Sequence, residues 1–219
     1  RQGHPEEAGE TIEGNAVCTD ATLKVQGVVT GNVTQKGVGD VIVNGTGGEG
    51  VVNGNVTEKG DGRVEVKLGG SIGGNVKESG AGSVKLTDGS TVNGNVTEKG
   101  DGDAKVESGS NVSGNVSEAS AGNAVVKEGS TVNGNVSEKG NGRLEVNDAT
   151  VGGNVTEKND GKLKILPGSA ISGNASEKGA DDLECSDGTT TINGNLVNGG
   201  GGNLVPDPTD CDVAGNIVN

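Results

Sequence analysis

Apolar and polar residues alternate in short runs that return along the whole chain. In one such run, Val92, Gly94 and Val96 alternate with polar residues, and this period of two predicts a strand with one face inside. A second short run at 104–106 alternates in the same way, and glycine-rich turns separate the two runs. The pattern predicts a coil made of strand, turn, strand and turn. It leaves open a third short strand within the Glu-Lys-Gly turn.

A Gly-Asn dipeptide occupies the same position in each repeat. Its asparagines are Asn15, Asn32, Asn55, Asn75, Asn95, Asn115, Asn135, Asn154, Asn174, Asn195 and Asn216. A period of about 20 residues over the whole length indicates stacked copies of one small unit. We therefore predict an all-β fold, a single β-solenoid (β-helix) of about eleven coils. A polar N-terminal tail is expected at 1–10 and the solenoid repeat domain at 11–219.

Stacking places each residue on its counterpart in the next coil, so the apolar positions are expected to form inward ladders. One predicted ladder consists of Val56, Val76, Val96, Val116, Val136 and Val155, and a second of Ile72, Val92, Val112, Val132, Val151 and Ile171. β-Branched residues suit such pleated, half-buried positions. A helical fold is excluded, because no segment has apolar residues at three-and-four spacing and glycine is too frequent.

The composition limits the classes of partner. The chain has no aromatic residue, 44 glycines and a formal net charge of −14. Disordered chains share these features, but they have no reason to place their apolar residues periodically. An acidic chain without a basic stripe argues against nucleic acid as a partner. No apolar run is long enough to cross a bilayer, so membrane insertion is not expected. We also expect no cofactor.

The repeat resembles that of the polymer-forming β-solenoids of the bactofilin kind, which also repeat short Val-x-Gly-Asn-Val strands. The matching residues are 92–96, Val-Asn-Gly-Asn-Val, and their copies along most of the chain. The resemblance implies a scaffold that assembles end to end, which for bactofilins is cytoplasmic. Glycosylation sequons, cysteines and a first residue, Arg1, that is not methionine instead favour an extracellular protein, secreted or on the cell surface, from which a leader has been removed.

The repeat begins and ends in the same phase. Two open ends of matching register invite head-to-tail addition, a contact that does not close and therefore makes filaments. The predicted polymer interface consists of Ile12, Asn15, Val17, Val213, Asn216, Ile217 and Val218. The alternative is a monomer whose ends are shielded by loops or glycans.

The three cysteines allow one internal pair. Cys185 occupies an inward strand position, and Cys211 follows about one coil later, so a disulfide between them is plausible. It would pin the irregular segments at 199–202 and 206–208. The alternative is a buried free thiol at Cys185. Cys18 is left over, and the cysteine spacing shows no metal-site pattern.

Nine asparagines lie in Asn-x-Ser/Thr sequons, which predict N-glycosylation. They are Asn32, Asn44, Asn55, Asn95, Asn111, Asn115, Asn135, Asn154 and Asn174. In the Gly-Asn series, serine and threonine exchange freely at the third sequon position. A sequon tolerates that exchange, whereas strand propensity alone would not favour serine. The alternative is an asparagine ladder whose side chains hydrogen-bond from coil to coil.

Two further outward features are expected. Thr91, Asn93, Asn95 and Thr97 are expected to lie on one outward face and, with their copies, to form a flat polar grid of the kind that ice-binding solenoids present. Glutamates followed by lysines are expected on a solvated face, where the lysines offset the repulsion between stacked carboxylates; they are Glu58, Glu98, Glu138, Glu157 and Glu177. Calcium bridging Glu98 to Asp101 or Asp103 is a weaker alternative.

Catalysis has little support in the sequence. His4 lies alone in the tail, so no pair of nucleophile and histidine can be assembled, and Arg63 and Arg143 are isolated. We therefore expect a structural subunit of an extracellular filament or surface coat, N-glycosylated on outward asparagine ladders. Its expected partners are further copies of itself, as a head-to-tail homopolymer, and covalently attached glycans. The alternative is a monomeric surface-binding solenoid, either ice-binding or an adhesin.

Overall fold

Every strand pairing among the described residues is parallel and joins one coil to the next, so the fold is a parallel β-solenoid. The structure is a computed structural model and describes residues 9–186, 189–205 and 211–219. Within these residues the coils make about ten turns with a period of about 20 residues, and the predicted fold class is confirmed. Of the predicted tail at 1–10, residues 1–8 lie outside the described part, as does His4.

Each coil contributes one strand to each of three sheets, taken in the same order every time. The first sheet has eleven described strands: β1 (Thr11–Ile12), β4 (Val28–Val29), β7 (Val51–Val52), β10 (Ser71–Ile72), β13 (Thr91–Val92), β16 (Asn111–Val112), β19 (Thr131–Val132), β22 (Thr150–Val151), β25 (Ala170–Ile171), β28 (Thr191–Ile192) and β31 (Asp212–Val213). The second sheet also has eleven: β2 (Ala16–Thr19), β5 (Val33–Lys36), β8 (Val56–Glu58), β11 (Val76–Glu78), β14 (Val96–Glu98), β17 (Val116–Glu118), β20 (Val136–Glu138), β23 (Val155–Glu157), β26 (Ala175–Glu177), β29 (Leu196–Asn198) and β32 (Ile217–Val218).

The third sheet has ten described strands, one fewer than the other two. They are β3 (Leu23–Val25), β6 (Val41–Asn44), β9 (Val64–Lys67), β12 (Val84–Leu86), β15 (Ala104–Val106), β18 (Ala124–Lys127), β21 (Leu144–Asn147), β24 (Leu163–Ile165), β27 (Leu183–Cys185) and β30 (Leu204–Val205). The last two described strands, β31 and β32, thus belong to the first and second sheets.

The three-sheet coil corrects the predicted two-strand coil. The run from Val92 to Val96 is not one strand but two, β13 and β14, which meet at a corner formed by Asn93, Gly94 and Asn95. Both valines face inward, as the alternation predicts, but they do so from different sheets. The third strand thus comes from the division of this run. The Glu-Lys-Gly segment, where a third strand was left open, is a turn.

The inward ladders form the core of the rod. Val92 stacks between Ile72 and Val112, and Val96 stacks between Val76 and Val116, each fully buried. Both predicted ladders are confirmed over their whole length. Valine, isoleucine, leucine and alanine fill the space between three short inner faces, which explains how the fold does without aromatic side chains.

The turn between the third and first sheets absorbs the irregular repeat lengths. In a regular coil it contains two successive residues of positive φ, such as Ser108 (54°) and Gly109 (70°). The shortest repeat, of 17 residues, reduces this turn to 26–27, and the longest, of 23, expands it with the 3-10 helix Thr46–Gly48. Strand register is therefore kept on all three sheets while the connection varies.

The corner between the first and second sheets has no space for a side chain at its glycine. A Cβ atom on Gly114 would lie 2.6 Å from Asn95 Oδ1 and 2.6 Å from the Gly94 carbonyl oxygen in the coil below. The Gly114 N–H donates to that same carbonyl at 3.1 Å, so the two coils cannot separate without losing a hydrogen bond. The same contact recurs from Gly31 to Gly215 and explains why glycine precedes the ladder asparagine in these repeats, whereas Gly14 in the first coil has positive φ and no such neighbour.

Among the described residues, no helix has the length and apolar character that a membrane crossing needs.

We expect Gly114→Ala to lower the free energy of unfolding by about 1–3 kcal/mol, since the added methyl group overpacks the corner. Gly201→Ala is the matched control, because its nearest neighbour would be 4.0 Å away, and we expect a change within about 1 kcal/mol. Urea denaturation followed by circular dichroism measures both. Equal midpoints for the two variants would contradict the close contact at the corner.

Candidate functional site

A column of seven glutamates runs along the inside of the rod. The strands of the second sheet place a small apolar residue inward, a polar residue outward and a glutamate inward again. We refer to these residues as the glutamate column: Glu58, Glu78, Glu98, Glu118, Glu138, Glu157 and Glu177, each 0% exposed. Parallel pairing sets successive members directly on one another, as with Glu98 between Glu78 and Glu118.

The buried column corrects the predicted solvated acidic face. The lysines that follow some of the glutamates are exposed, but the glutamates themselves point into the core. The alternation already contains this result, because Val96 inward and Thr97 outward require Glu98 inward. The prediction of a solvated face was based instead on glutamates that are followed by lysine. It therefore omitted Glu78 and Glu118, which are not followed by lysine.

Each column carboxyl uses one oxygen in the same way. Oε1 of Glu98 accepts from the backbone N–H of Gly100 at 2.6 Å, and Glu118 accepts from Ser120 at 2.7 Å. The other members repeat this contact with the residue two positions along, including Glu177 with Gly179. Oε2 of all seven is buried and has no hydrogen-bond donor among the described residues. In this part of the chain, Oε2 of each carboxyl can therefore form hydrogen bonds only with neighbouring carboxyls of the column.

Burial and stacking raise the pKa of four of the column carboxyls. Desolvation, followed by the neighbouring glutamates, raises the pKa of Glu98 and of Glu138 to about 9. Nearer the ends of the column, the same causes raise the pKa of Glu58 and of Glu177 to about 7, against opposing backbone hydrogen bonds. These four residues are every second member of the column.

Neutral side chains continue the column at both ends. Gln35 takes the position before Glu58, and Asn198 takes the position after Glu177; both are buried. Beyond Gln35 lies Cys18, a buried free thiol whose Sγ is 3.2 Å from the Ala21 carbonyl oxygen. Beyond Asn198 lies Asn219, whose Oδ1 accepts from Asn198 Nδ2 at 2.9 Å. The acidic stretch is thus separated from both ends of the rod.

The positions of the three acidic residues do not support the calcium alternative. Glu98 points into the core, whereas Asp101 is exposed and Asp103 forms an ion pair with Lys105 at 2.5 Å. Within the described residues, no group of three or more acidic, histidine or cysteine side chains is arranged to hold a metal ion.

An asparagine ladder marks the corner between the first and second sheets. Oδ1 of Asn95 accepts two hydrogen bonds from Asn115 in the next coil, one from the backbone N–H at 2.8 Å and one from Nδ2 at 3.0 Å. The backbone contact recurs from Asn15 to Asn216. The alternative reading of the Gly-Asn series, a ladder bonded from coil to coil, is therefore present in the structure.

Seven of the nine sequon asparagines belong to this ladder and are exposed: Asn32, Asn55, Asn95, Asn115, Asn135, Asn154 and Asn174. Each Nδ2 carries two hydrogens, and the ladder uses one of them, so the other points away from the bond. Asn44 and Asn111 lie elsewhere. Asn44 Oδ1 accepts from the Thr46 hydroxyl at 2.7 Å, and Asn111 lies half-buried on the first sheet.

The polar residues expected on one flat face are divided between two. Thr91 lies on the first sheet and Thr97 on the second, and the exposed Asn93 and Asn95 occupy the corner between them. The flat grid that motivated an ice-binding alternative is therefore absent at these residues. The reason is the corner at Gly94, which the two-strand interpretation did not include.

A disulfide joins Cys185 to Cys211 with a Cα–Cα distance of 6.2 Å. Cys185 faces inward from β27, and Cys211 immediately precedes β31, so the bond links successive coils near the C-terminal end. It spans the glycine-rich segment at 199–202; residues 206–210, which include the other segment expected to be pinned, lie outside the described part.

The two ends of the second sheet share an apolar outward position. Between the ends, most coils place Thr, Ser or Lys there, as with Thr97, Ser117 and Lys77. The two terminal coils and the coil before the last place valine there instead: Val197 is half-buried, whereas Val17 is 41% exposed and Val218 is 50% exposed. Strands β2 and β32 each pair on one side only among the described residues, with β5 and β29. The remaining predicted interface residues, Ile12, Asn15, Val213, Asn216 and Ile217, lie on these same terminal coils.

The arginines considered for catalysis take part in ion pairs on the outer face of the third sheet. Arg63 lies 3.6 Å from Glu65, and Arg143 lies 3.2 Å from Glu145. These contacts belong to a mixed row of lysines and acids that continues on neighbouring coils.

The chain matches no protein-family model, no curated protein and no solved structure. The structure confirms a repetitive parallel β-solenoid, and the likeness to bactofilins remains a resemblance in repeat motif and architecture.

We expect Asn95→Ala to lower the free energy of unfolding by about 1–2 kcal/mol, because it removes the ladder contacts to both neighbouring coils. Asn93→Ala is the matched control: this residue is exposed, two positions away, and has no side-chain hydrogen bond among those of the described residues. We expect it to change the stability by less than about 0.5 kcal/mol. Thermal unfolding of both variants tests the ladder, which would be unimportant if Asn93→Ala were equally destabilised.

Proposed function

We propose that this solenoid is the structural subunit of an extracellular filament or surface coat, in which copies add head to tail. The observation that carries the proposal is the match between the two ends of the second sheet. Among the described residues, the strand at each end pairs on one side only, and each end carries the ladder asparagine and an exposed valine at the same register position. Unprotected strand edges recruit further strands, so ends of matching pattern favour addition of a second copy.

The proposed junction continues the register of the rod. If β32 of one copy pairs with β2 of the next, Asn216 meets Asn15, Ile217 meets Ala16 and Val218 meets Val17. The asparagine ladder then continues across the junction, and the half-exposed valines bury each other. Full burial of one valine contributes about 1.5–3 kcal/mol, so this pair adds to the backbone hydrogen bonds of the new strand pairing.

The column of buried carboxyls is compatible with this junction. Asn219 of one copy would meet Cys18 of the next, so the residues facing each other along the column are neutral. Addition of a subunit therefore requires no contact between buried carboxylates, which would oppose assembly.

We further propose N-glycans on the exposed ladder asparagines and an extracellular location. The exposed amides, their sequons and the free hydrogen on each Nδ2 support modification that leaves the ladder bond in place. The Cys185–Cys211 disulfide is typical of oxidising compartments and supports the same location. Coils lie about 4.8 Å apart, so glycans on successive coils would crowd one another and the occupancy of neighbouring sites would be incomplete.

Val17→Lys tests the junction. We expect this variant to fold but to form shorter filaments, because lysine removes the apolar contact with Val218 across the junction. Thr97→Lys is the matched control, since the neighbouring coil already holds Lys77 at this position. Negative-stain electron microscopy and sedimentation measure the length of the assemblies.

A second variant tests the register directly. The double variant Val17→Lys, Val218→Glu should recover the filament length, because lysine and glutamate would then meet at the proposed junction. Filaments of normal length from Val17→Lys alone would overturn the proposed register. Single rods from the unmodified chain would overturn assembly itself and make a monomeric surface-binding role the next hypothesis.

Two ladder asparagines without a sequon provide an internal control for glycosylation. Asn75 and Asn195 occupy the same ladder but lack the sequon, because Lys77 and Val197 stand at the third position. Mass spectrometry of peptides from protein isolated from its natural source should show glycans on several of Asn95, Asn115 and Asn135, and none on Asn75 or Asn195. Unmodified asparagines at all these positions would contradict the proposed glycans.

A further inference from the structure

The glutamate column places seven carboxyls in line inside the rod, and none of them forms an ion pair among the described residues. All seven side chains are fully buried, and the strand register sets each on the next at about the 4.8 Å spacing of paired strands. Charged groups repel at this distance, and burial removes the solvent that would screen them. Seven ionised carboxylates are therefore incompatible with this packing.

The hydrogen-bond pattern shows that the column requires additional hydrogen-bond donors. Oε1 of each member has a backbone donor, whereas Oε2 has no donor among the described residues. The nearest polar groups along the column are the carboxyls of the adjacent coils. Two carboxyls can bond only if one of them carries a proton, because an ionised carboxyl is an acceptor alone. A protonated member can donate its O–H to an ionised neighbour, and the unpartnered oxygens are then satisfied.

We propose that the glutamate column is a line of carboxyls that share protons, and that it makes the rod stable in acid and progressively unstable as the solution becomes alkaline. Protons are the ligand of this site, and they bind more tightly to the folded coils than to the unfolded chain. The neutral residues Gln35 and Asn198 lie at the two ends of the line, so the carboxyls that share protons are confined to the interior of each chain.

Within the described part of the chain, no lysine or arginine forms an ion pair with the column. The inner faces of the first and third sheets, which pack against it, carry Val, Ile, Leu and Ala, together with the disulfide-bonded Cys185. Asp181, in the turn after Glu177, also acts on the end of the column, and it is acidic as well. Lys59, Lys99 and Lys139 are exposed on the outside of the turn.

The direction of the pH dependence follows from the pKa values. An unfolded glutamate has a pKa of 4.5, whereas the folded chain raises the pKa of Glu58 and Glu177 to about 7 and that of Glu98 and Glu138 to about 9. The folded state therefore holds protons that the unfolded state has released. This contribution to stability is complete below pH 4.5, decreases as the pH rises, and is lost once the pH passes about 9.

Thermal unfolding of the full chain between pH 4.5 and 9.5, in buffers with EDTA, measures this dependence. The Tm should be highest near pH 5 and should fall by at least about 5 °C per pH unit between pH 5 and 7. Unfolding at pH 6 should release about four protons per chain, one for each of the four carboxyls with a raised pKa. A Tm that rises with pH, or unfolding without proton release, would overturn the proposal.

A paired set of variants assigns the effect to the column. Glu98→Gln with Glu138→Gln replaces two proton-holding carboxyls by amides, which carry their own donors, as Gln35 does at the end of the column. We expect a higher Tm than the unmodified chain at pH 8.5 and a flatter pH profile. Asp61→Asn with Asp160→Asn removes the same formal charge from exposed turns and should leave the profile slope unchanged. Equal slopes for the two pairs would overturn the assignment.

Infrared spectroscopy gives a readout that does not depend on variants. The folded chain at pH 7 should show the C=O stretch of protonated, buried carboxyls, a band that is separate from that of carboxylates. The band should disappear on unfolding at the same pH. Its absence from the folded chain at pH 7 would show that the column is ionised, and the proposal would fail.

Discussion

In-register parallel stacking is the constraint on which the rest of this structure depends. Each residue lies on its own counterpart in the coils above and below, about 4.8 Å away. A side chain therefore has to be compatible with a copy of itself before it has to be compatible with anything else. Valine satisfies this condition by packing, as Val96 does between Val76 and Val116. Asparagine satisfies it because one amide carries both a donor and an acceptor, as Asn95 and Asn115 show.

Glutamate meets the same condition only with a proton. Two ionised carboxylates repel, whereas a protonated and an ionised carboxyl are complementary in the way that two amides are. The buried column thus differs from the exposed ladder in one respect: the asparagine ladder is self-complementary at any ordinary pH, and the glutamate column depends on the solution. A solenoid with both has one set of side-chain contacts that does not depend on pH and one that does. Gln35 and Asn198, at the ends of the column, are amides, whose protonation does not change over this pH range.

Much of the fold could be predicted from the sequence because stacked coils repeat the same pattern of residues. The period, the parallel coils and the valine ladders all follow from residues that recur at one position, such as Val92 and Val96. The corner at Gly94 could not be recognised from alternation, because a bend that leaves Val92 and Val96 both inward has the same pattern as a straight strand. The buried position of Glu98 was within reach of the same alternation. It was missed because an acid followed by a lysine resembles a solvated turn, and charge is usually a sign of exposure.

The direction of the hydrogen bonds between coils has a mechanical consequence. These bonds run along the rod axis, so axial tension is shared by three sheets that must open together. Under axial load, two coils would separate only when the strands of all three sheets part at once. The Cys185–Cys211 bond links successive coils near the C-terminal end, so these coils would stay joined by a covalent bond after their hydrogen bonds broke.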